Sequence, residues 1–264
     1  RRVERAEKGV AMRSYDSDLF QIEQVEDGLW LLSEKMVRYA IRSNVWIVEG
    51  QDADLVIDAG WGVVDWPVEV LFPASDKPVW SAITHAHCDH INQLFHFKER
   101  RFGHADARDI VAAPTAKNTN AQPWTPQLKL IEPGCEAPDF DASSYGEDFR
   151  PAPLTDIVGE GDSIDLGGVV LDVIETPGHS PDSLTFIDRS RKWMFTGDVL
   201  LNGYIVDVLH HSDKRQILGS HQRLMNQDFE RVYGGHQHPI DRPKAESVVA
   251  RYIAHKAKEG ITLE

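Results

Sequence analysis

Residues 84–90 read THAHCDH, three histidines, an aspartate and a cysteine within seven positions. Buried polar groups need partners, and a metal ion is the partner that suits so dense a cluster. His85 and His87, two apart, project the same way from the end of an extended strand. Asp89 and His90 follow at the turn and reach a neighbouring point. Imidazole and carboxylate are ligands suited to Zn²⁺, and the remaining ligands must come from elsewhere in the chain.

Upstream, GLWLLSE, NVWIVEG and DLVIDAG are short apolar, β-branched runs bounded by Gly, Asn and Asp, and each predicts a strand. PVWSAITH is a further strand that ends in the histidine cluster. Downstream, INQLFHFKER predicts a helix, RFGH a strand and ADARDIVAA a second helix. GDSIDLG, VVLDVIET, SLTFIDR and KWMFTGD then read as strands joined by tight turns. The apolar spacing of SDKRQILGSHQRLMN and RPKAESVVARYIAHKAKEG predicts two helices on either side of a strand-like RVYGGH. Strands followed by helices therefore occur twice, which predicts two sheets, each covered by helices.

Residues 1–18 read as an N-terminal arm on the surface or on a partner subunit, which leaves room for a homodimer, and residues 19–264 read as one domain. The stretch 113–155 holds seven of the fourteen prolines together with Trp124, Phe140, Tyr145 and Phe149. It is expected to be a long loop excursion on the substrate side.

Three later segments return to the chemistry of the cluster. TPGHS places His179 after a strand, FTGD places Asp198 after another, and YGGH places His236 after a third. A glycine precedes each, allowing a sharp turn and a close backbone approach. His96, His104, His221, His238 and His255 lack such surroundings and read as surface or core residues.

With this order of residues the chain resembles the metallo-β-lactamase superfamily, from about Gly28 to His236. The resemblance implies a four-layer αββα sandwich with a dinuclear metal centre at one edge of the paired sheets. Residue by residue, it implies that His85, His87 and His179 hold one ion, that Asp89, His90 and His236 hold the other, and that Asp198 bridges them. Two Zn²⁺ ions are expected, with iron or manganese as alternatives at one or both positions. Asp58, in VIDAG, matches the family's buttressing aspartate behind the metal loop. One departure is visible: Ile91, Asn92 and Gln93 stand where relatives usually carry small residues, so the local pocket should differ. Cys88 is expected to line the site or pack beneath it, without ligating.

The implied chemistry is attack of metal-bound hydroxide on an acyl carbonyl, with Asp89 or Asp198 moving a proton to the leaving group. Tyr204, or His210 or His211 in NGYIVDVLHHSD, is a candidate for contacting substrate. The chain looks most like the branches that hydrolyse acyl thioesters, glyoxalase II and acyl-CoA thioesterases. A lactonase is the first alternative and an iron-dependent redox enzyme of the same fold the second.

Composition bounds the rest. A formal charge of -14 argues against nucleic acid as a partner, and no run is long and apolar enough for a membrane span. The expected partner is a small acyl substrate, for whose phosphates, if it is a CoA ester, an acidic chain must find its few basic residues. With only Cys88 and Cys135, the cytoplasm is the expected location.

Overall fold

The computed structural model describes residues 12, 14–73, 77–121, 130–137, 139–141 and 143–263. Most of the arm at residues 1–18, and Trp124, lie outside them. Among the described residues, fourteen strands form two sheets. The first runs in chain order: β1 (Tyr15–Asp16), β2 (Phe20–Glu26), β3 (Leu29–Glu34), β4 (Val45–Glu49), β5 (Asp54–Ile57), β6 (Val79–Ala82), β7 (Arg101–Gly103) and β8 (Asp156–Ile157). It is antiparallel through β5 and parallel from β5 to β8. The second contains β9 (Ser163–Asp165), β10 (Val170–Glu175), β11 (Leu184–Asp188), β12 (Trp193–Gly197), β13 (Arg231–Gly234) and β14 (Ile240–Asp241), with only the β12–β13 pair parallel.

The strands read as nearly unbroken apolar runs because both faces of each sheet are covered. Along β4, Val45 and Ile47 face outward into one core cluster, while Trp46 and Val48 face inward into another. The inward cluster is the seam between the sheets, where Trp46 meets Phe195 and Tyr233 at ring distances of 6.4 and 5.1 Å. Alternation of period two thus survives inside a continuous apolar run.

The outer layers differ. Among the described residues, the first sheet carries α1 (Val68–Leu71), α2 (Cys88–Ile91), α3 (Arg108–Ala112), two 3₁₀ turns and the long loop excursion, whereas the second is covered by two longer helices, α4 (Lys214–Met225) and α5 (Arg242–Lys258). Helix α4 is capped by Asp213, which accepts from the amides of Arg215 and Gln216; α5 is capped by Asp241. The architecture is the expected αββα sandwich, with one helical layer reduced to fragments.

Two expectations, a helix and the set of strands, need correction. INQLFHFKER forms a single 3₁₀ turn, Leu94–His96, instead of a helix. Its Asn92 donates to the Trp61 carbonyl and its Gln93 accepts from the Trp66 amide, so these polar side chains bind the neighbouring loop. Strands β2 and β14 lie in segments not read as strands, and Tyr15–Asp16 pair with Gln21 and Ile22 inside the stretch read as an arm. Among the described residues, no helix is long and apolar enough to cross a membrane.

Candidate metal centre

The strand ends place the site. Asp58 follows β5 directly, the His85–His90 segment follows β6, His179 lies just beyond β10, Asp198 directly beyond β12, and His236 just beyond β13. These carboxyl ends converge on one edge of the sandwich. All seven proposed ligands meet there, in three overlapping groups: His85 with His87 and His179, His85 with His90 and Asp198, and Asp89 with His90 and His236.

Two glycines make the convergence sterically feasible. A Cβ at Gly235 would lie 2.3 Å from Asp198 Oδ1, and one at Gly197, whose φ is +50°, would lie 2.6 Å from Thr84 Oγ1. Any larger residue at Gly235 would displace Asp198 and His90, whose Cε1 a Cβ there would meet at 2.8 Å.

In the first group, His87 Nδ1 lies 3.0 Å from His85 Nε2 and 3.0 Å from His179 Nε2. That is close to the spacing of about 3.3 Å expected of ligands held at about 2.0 Å around one tetrahedral ion. In the second, His236 Nε2 lies 3.2 Å from Asp89 Oδ2, and His90 Nε2 lies 3.4 Å from the same oxygen. Asp198 stands between the groups, its Oδ2 3.3 Å from His236 Nε2 and 3.7 Å from His179 Nε2. Its Oδ1 faces His90 Nε2 at 3.6 Å.

Those last two atoms test whether a cation fits. His90 Nε2 and Asp198 Oδ1 are both buried, and neither has a hydrogen-bond partner among the described residues. A pair of orphaned polar atoms facing each other is costly; a cation between them would satisfy both. The donor set, imidazole nitrogens with carboxylates, suits first-row divalent metals.

The outer contacts aim the rings. His90 Nδ1 is 2.8 Å from Asp58 Oδ2, His179 Nδ1 is 2.9 Å from the Val206 carbonyl, and His236 Nδ1 is 2.9 Å from the Arg42 carbonyl. Each acceptor requires a proton on Nδ1 and turns Nε2 toward the centre. Asp58 also accepts from the Thr84 amide at 2.7 Å, which supports its reading as the buttress of the metal loop. Sequence reading missed two further supports. Asp182 accepts from the Ala86 amide at 2.7 Å, between the first two histidines. His211 Nε2 lies 2.7 Å from His87 Nε2, so this histidine touches a proposed ligand and is placed behind it.

Charge is divided unevenly. Burial drives His85 and His87 well below the ordinary imidazole range, and neighbouring histidines push the same way. Burial also opposes the charge on His236, yet Asp198 and Asp89 outweigh it and carry its pKa from 6.5 up to about 10. His90 is raised against burial by Asp89, Asp58 and Asp198. Burial favours the acid forms of Asp89 and Asp198, but His90 and His236 hold both well below the carboxylate range.

A cavity of about 350 Å³ opens over the centre, lined by His87, Asp89, Asp198 and His236 and walled by Ile41, Trp61, Leu201, Val206 and Leu209. Cys88 lines it and is buried, as expected. Tyr204 stands on its rim, 67% exposed. Asn92 acts on the wall through Trp61, whose carbonyl accepts from Asn92 and from the Tyr145 hydroxyl, each at 2.7 Å. The described loop aromatics Phe140, Tyr145 and Phe149 pack on one another and the core and do not line the cavity. From the long excursion, Asn120 reaches it. His221 is a buried core residue bonded to the Val199 carbonyl.

Comparison with known proteins agrees with this geometry. The family model of the metallo-β-lactamase superfamily matches residues 38–236. Acyl-coenzyme A thioesterase MBLAC2 of Gallus gallus is 30% identical over 247 residues, covering 89% of this chain and 87% of the relative. Among solved structures, the fold resembles the mono-zinc form of the metallo-β-lactamase FIM-1 from Pseudomonas aeruginosa, with a TM-score of 0.60 at 17% identity, covering 90% of this chain and 96% of the other. It also resembles the di-iron-bound form of TTHA1623, with a TM-score of 0.58 at 22% identity, covering 79% and 94%.

Proposed function

The chain belongs to the metallo-β-lactamase superfamily, and from that premise we propose that it is a metal-dependent hydrolase of acyl thioesters, with acyl-coenzyme A as its substrate class. The similarity to an acyl-CoA thioesterase along nearly the whole chain carries the substrate class. The apolar wall of Ile41, Trp61, Leu201 and Leu209 beside the clustered histidines suits an acyl group next to a reacting carbonyl.

His85, His87 and His179 would hold one ion and Asp89, His90 and His236 the other, with Asp198 between them. When bound, such ions supply Lewis acidity, polarising the carbonyl and lowering the pKa of water from about 15.7 toward about 7. The chain's own residues do the rest. Asp58, Val206 and Arg42 fix which ring nitrogen faces the centre, and Trp61 and Leu201 keep bulk water from the acyl side. Asp89 or Asp198 carries a proton on a carboxylate oxygen to the leaving sulfur. Tyr204, on the rim, contacts the substrate as it enters.

Zinc in both positions is the proposed resting composition, with iron as the alternative, since relatives of this fold hold either metal. Both cysteines are free thiols, which supports the reducing cytoplasm as the place of action.

The test is hydrolysis by zinc-loaded and iron-loaded protein of short and long acyl-CoA, S-lactoylglutathione, an acyl-homoserine lactone and a β-lactam. Acyl-CoA turnover that disappears in Asp198→Ala is the expected result. Lactone turnover alone would replace the reading with a lactonase, and silence of both metal forms across the panel would remove hydrolysis altogether.

A further inference from the structure

A second cavity, of about 560 Å³, lies between α5 and the loop that follows Asp198. It is a neighbour of the metal-centre cavity, because Asn202, Gly203 and Tyr204 line both. Its helical wall is basic. Lys244, Arg251 and His255 recur at helical spacing along one face of α5, with Val248 and Tyr252 between them as an apolar floor.

This concentration stands out in a chain with 42 acidic and 28 basic residues. Neither the Lys244 ammonium nor the Arg251 guanidinium has a carboxylate partner among the described residues; Arg251 Nη2 donates to the Gly203 carbonyl at 3.2 Å. The other two basic residues have partners: His255 meets Glu259 at 3.1 Å, and Lys256, 2% exposed, meets the buried Asp207 at 2.6 Å. Tyr252 also donates to Asp207, at 3.0 Å. Since Asp207 belongs to the loop and Lys256 and Tyr252 to α5, this buried network pins the two walls at a fixed spacing. Buried charges are kept only when paired in this way, and the pairing leaves Lys244 and Arg251 free on the cavity rim.

We propose that this groove holds the phosphorylated nucleotide end of a coenzyme A thioester, while the pantetheine arm passes over Asn202–Tyr204 and delivers the thioester to the metal centre. The proposal rests on the thioesterase reading of that centre and selects one branch of it. An ammonium and a guanidinium fork are the groups that recognise phosphate oxygens. Tyr204, largely exposed, offers aromatic surface to a base. A glutathione thioester carries no phosphate and would leave the groove empty, so the groove accounts for a preference the metal centre alone does not provide.

The experiment compares one acyl group carried on coenzyme A and on pantetheine, using metal-loaded wild-type protein and the Lys244→Glu/Arg251→Glu variant. Both positions are exposed, and a circular dichroism spectrum checks that the variant is folded. The expected result is a KM for acyl-CoA raised about tenfold with kcat held, and a preference for acyl-CoA over acyl-pantetheine that shrinks by the same factor. An unchanged preference in the variant overturns the proposal, as does a wild type with no preference. Calorimetric binding of free coenzyme A separates the two readings. If wild type binds it and the variant does not, yet no thioester is cleaved, the groove stands and the proposed activity falls. If thioesters are cleaved but coenzyme A binds both proteins equally, the activity stands and the groove falls.

Discussion

The two halves of the proposed metal centre hold similar ligands in opposite electrostatic states. His85 and His87 are kept neutral by burial and by one another, with no carboxylate in their group. In the other half, Asp89, Asp198 and Asp58 favour protonated imidazoles: the pKa of His236 is raised from 6.5 to about 10, and that of His90 is raised as well. The first half therefore presents free lone pairs at neutral pH, whereas the second must exchange protons for metal. If the constellation holds two ions as proposed, one group is ready to fill and the filling of the other is linked to pH.

Asp198 belongs to both halves, and removing it breaks the comparison most severely. Asp198→Ala should reduce kcat/KM by about a thousandfold or more, since it removes a charge that orients both groups. Elemental analysis should show metal content falling from two ions per chain to one or none. Retention of both ions would show that Asp198 is dispensable to the centre and that the two groups are independent.

Asp58 tests whether the halves can be separated. Its carboxylate holds His90 at 2.8 Å and the Thr84 amide at 2.7 Å, but touches neither His87 nor His179. Asp58→Ala should weaken metal binding about 10- to 100-fold, the usual cost of losing such a support. The loss should concentrate on one of two resolved binding steps in a metal titration. Equal weakening of both steps would mean that Asp58 shapes the whole loop and not the acid-rich half.

The pH dependence carries a definite sign. In the metal-free folded protein, the pKa of His236 is raised from 6.5 to about 10. The stability this contributes is fully present below about 6.5 and is lost as pH rises through about 10. Metal binding runs the other way, because each ion entering the second half displaces that proton. Apparent affinity for the weaker ion should rise by about tenfold per pH unit between pH 6.5 and 9 for each proton released. Calorimetry in buffers of different ionisation enthalpy would count the protons, and a count of zero would dissolve the distinction between the halves.

The clustering of the seven proposed ligands was legible in the sequence because each sits where a strand ends, and a glycine marks each of the later turns. THAHCDH, TPGHS, FTGD and YGGH therefore carry position as well as identity. The strands around them were legible because burial on both faces leaves continuous apolar runs. Strand β2, FQIEQVE, was hidden because its second half is polar and half-exposed, so no run marks it. The false helix at INQLFHFKER arose because Asn92 and Gln93 serve a neighbouring loop, which local periodicity does not reveal. His211 was flagged only as a substrate contact, because its partner lies 124 positions away and spacing rules do not reach that far.

His211 offers the smallest effect and the finest division of the neutral half. Burial, with His210 and His179, lowers its pKa to about 4, so at neutral pH its ring is uncharged and can accept a hydrogen bond. At 2.7 Å, its Nε2 accepts a hydrogen bond from His87 Nε2–H, which leaves His87 Nδ1 as a lone pair directed at His85 and His179. His211→Ala should lower kcat about three- to tenfold and weaken the first ion, because His87 can then place its proton on the wrong nitrogen. His211→Gln retains an acceptor and should recover most of the loss, while KM stays near wild type in both variants. If KM rises instead and the metal content is unchanged, His211 meets the substrate and not the ligand. The order of this half would then rest on the Val206 carbonyl behind His179, the Thr84 hydroxyl behind His85 and the packing of the rings.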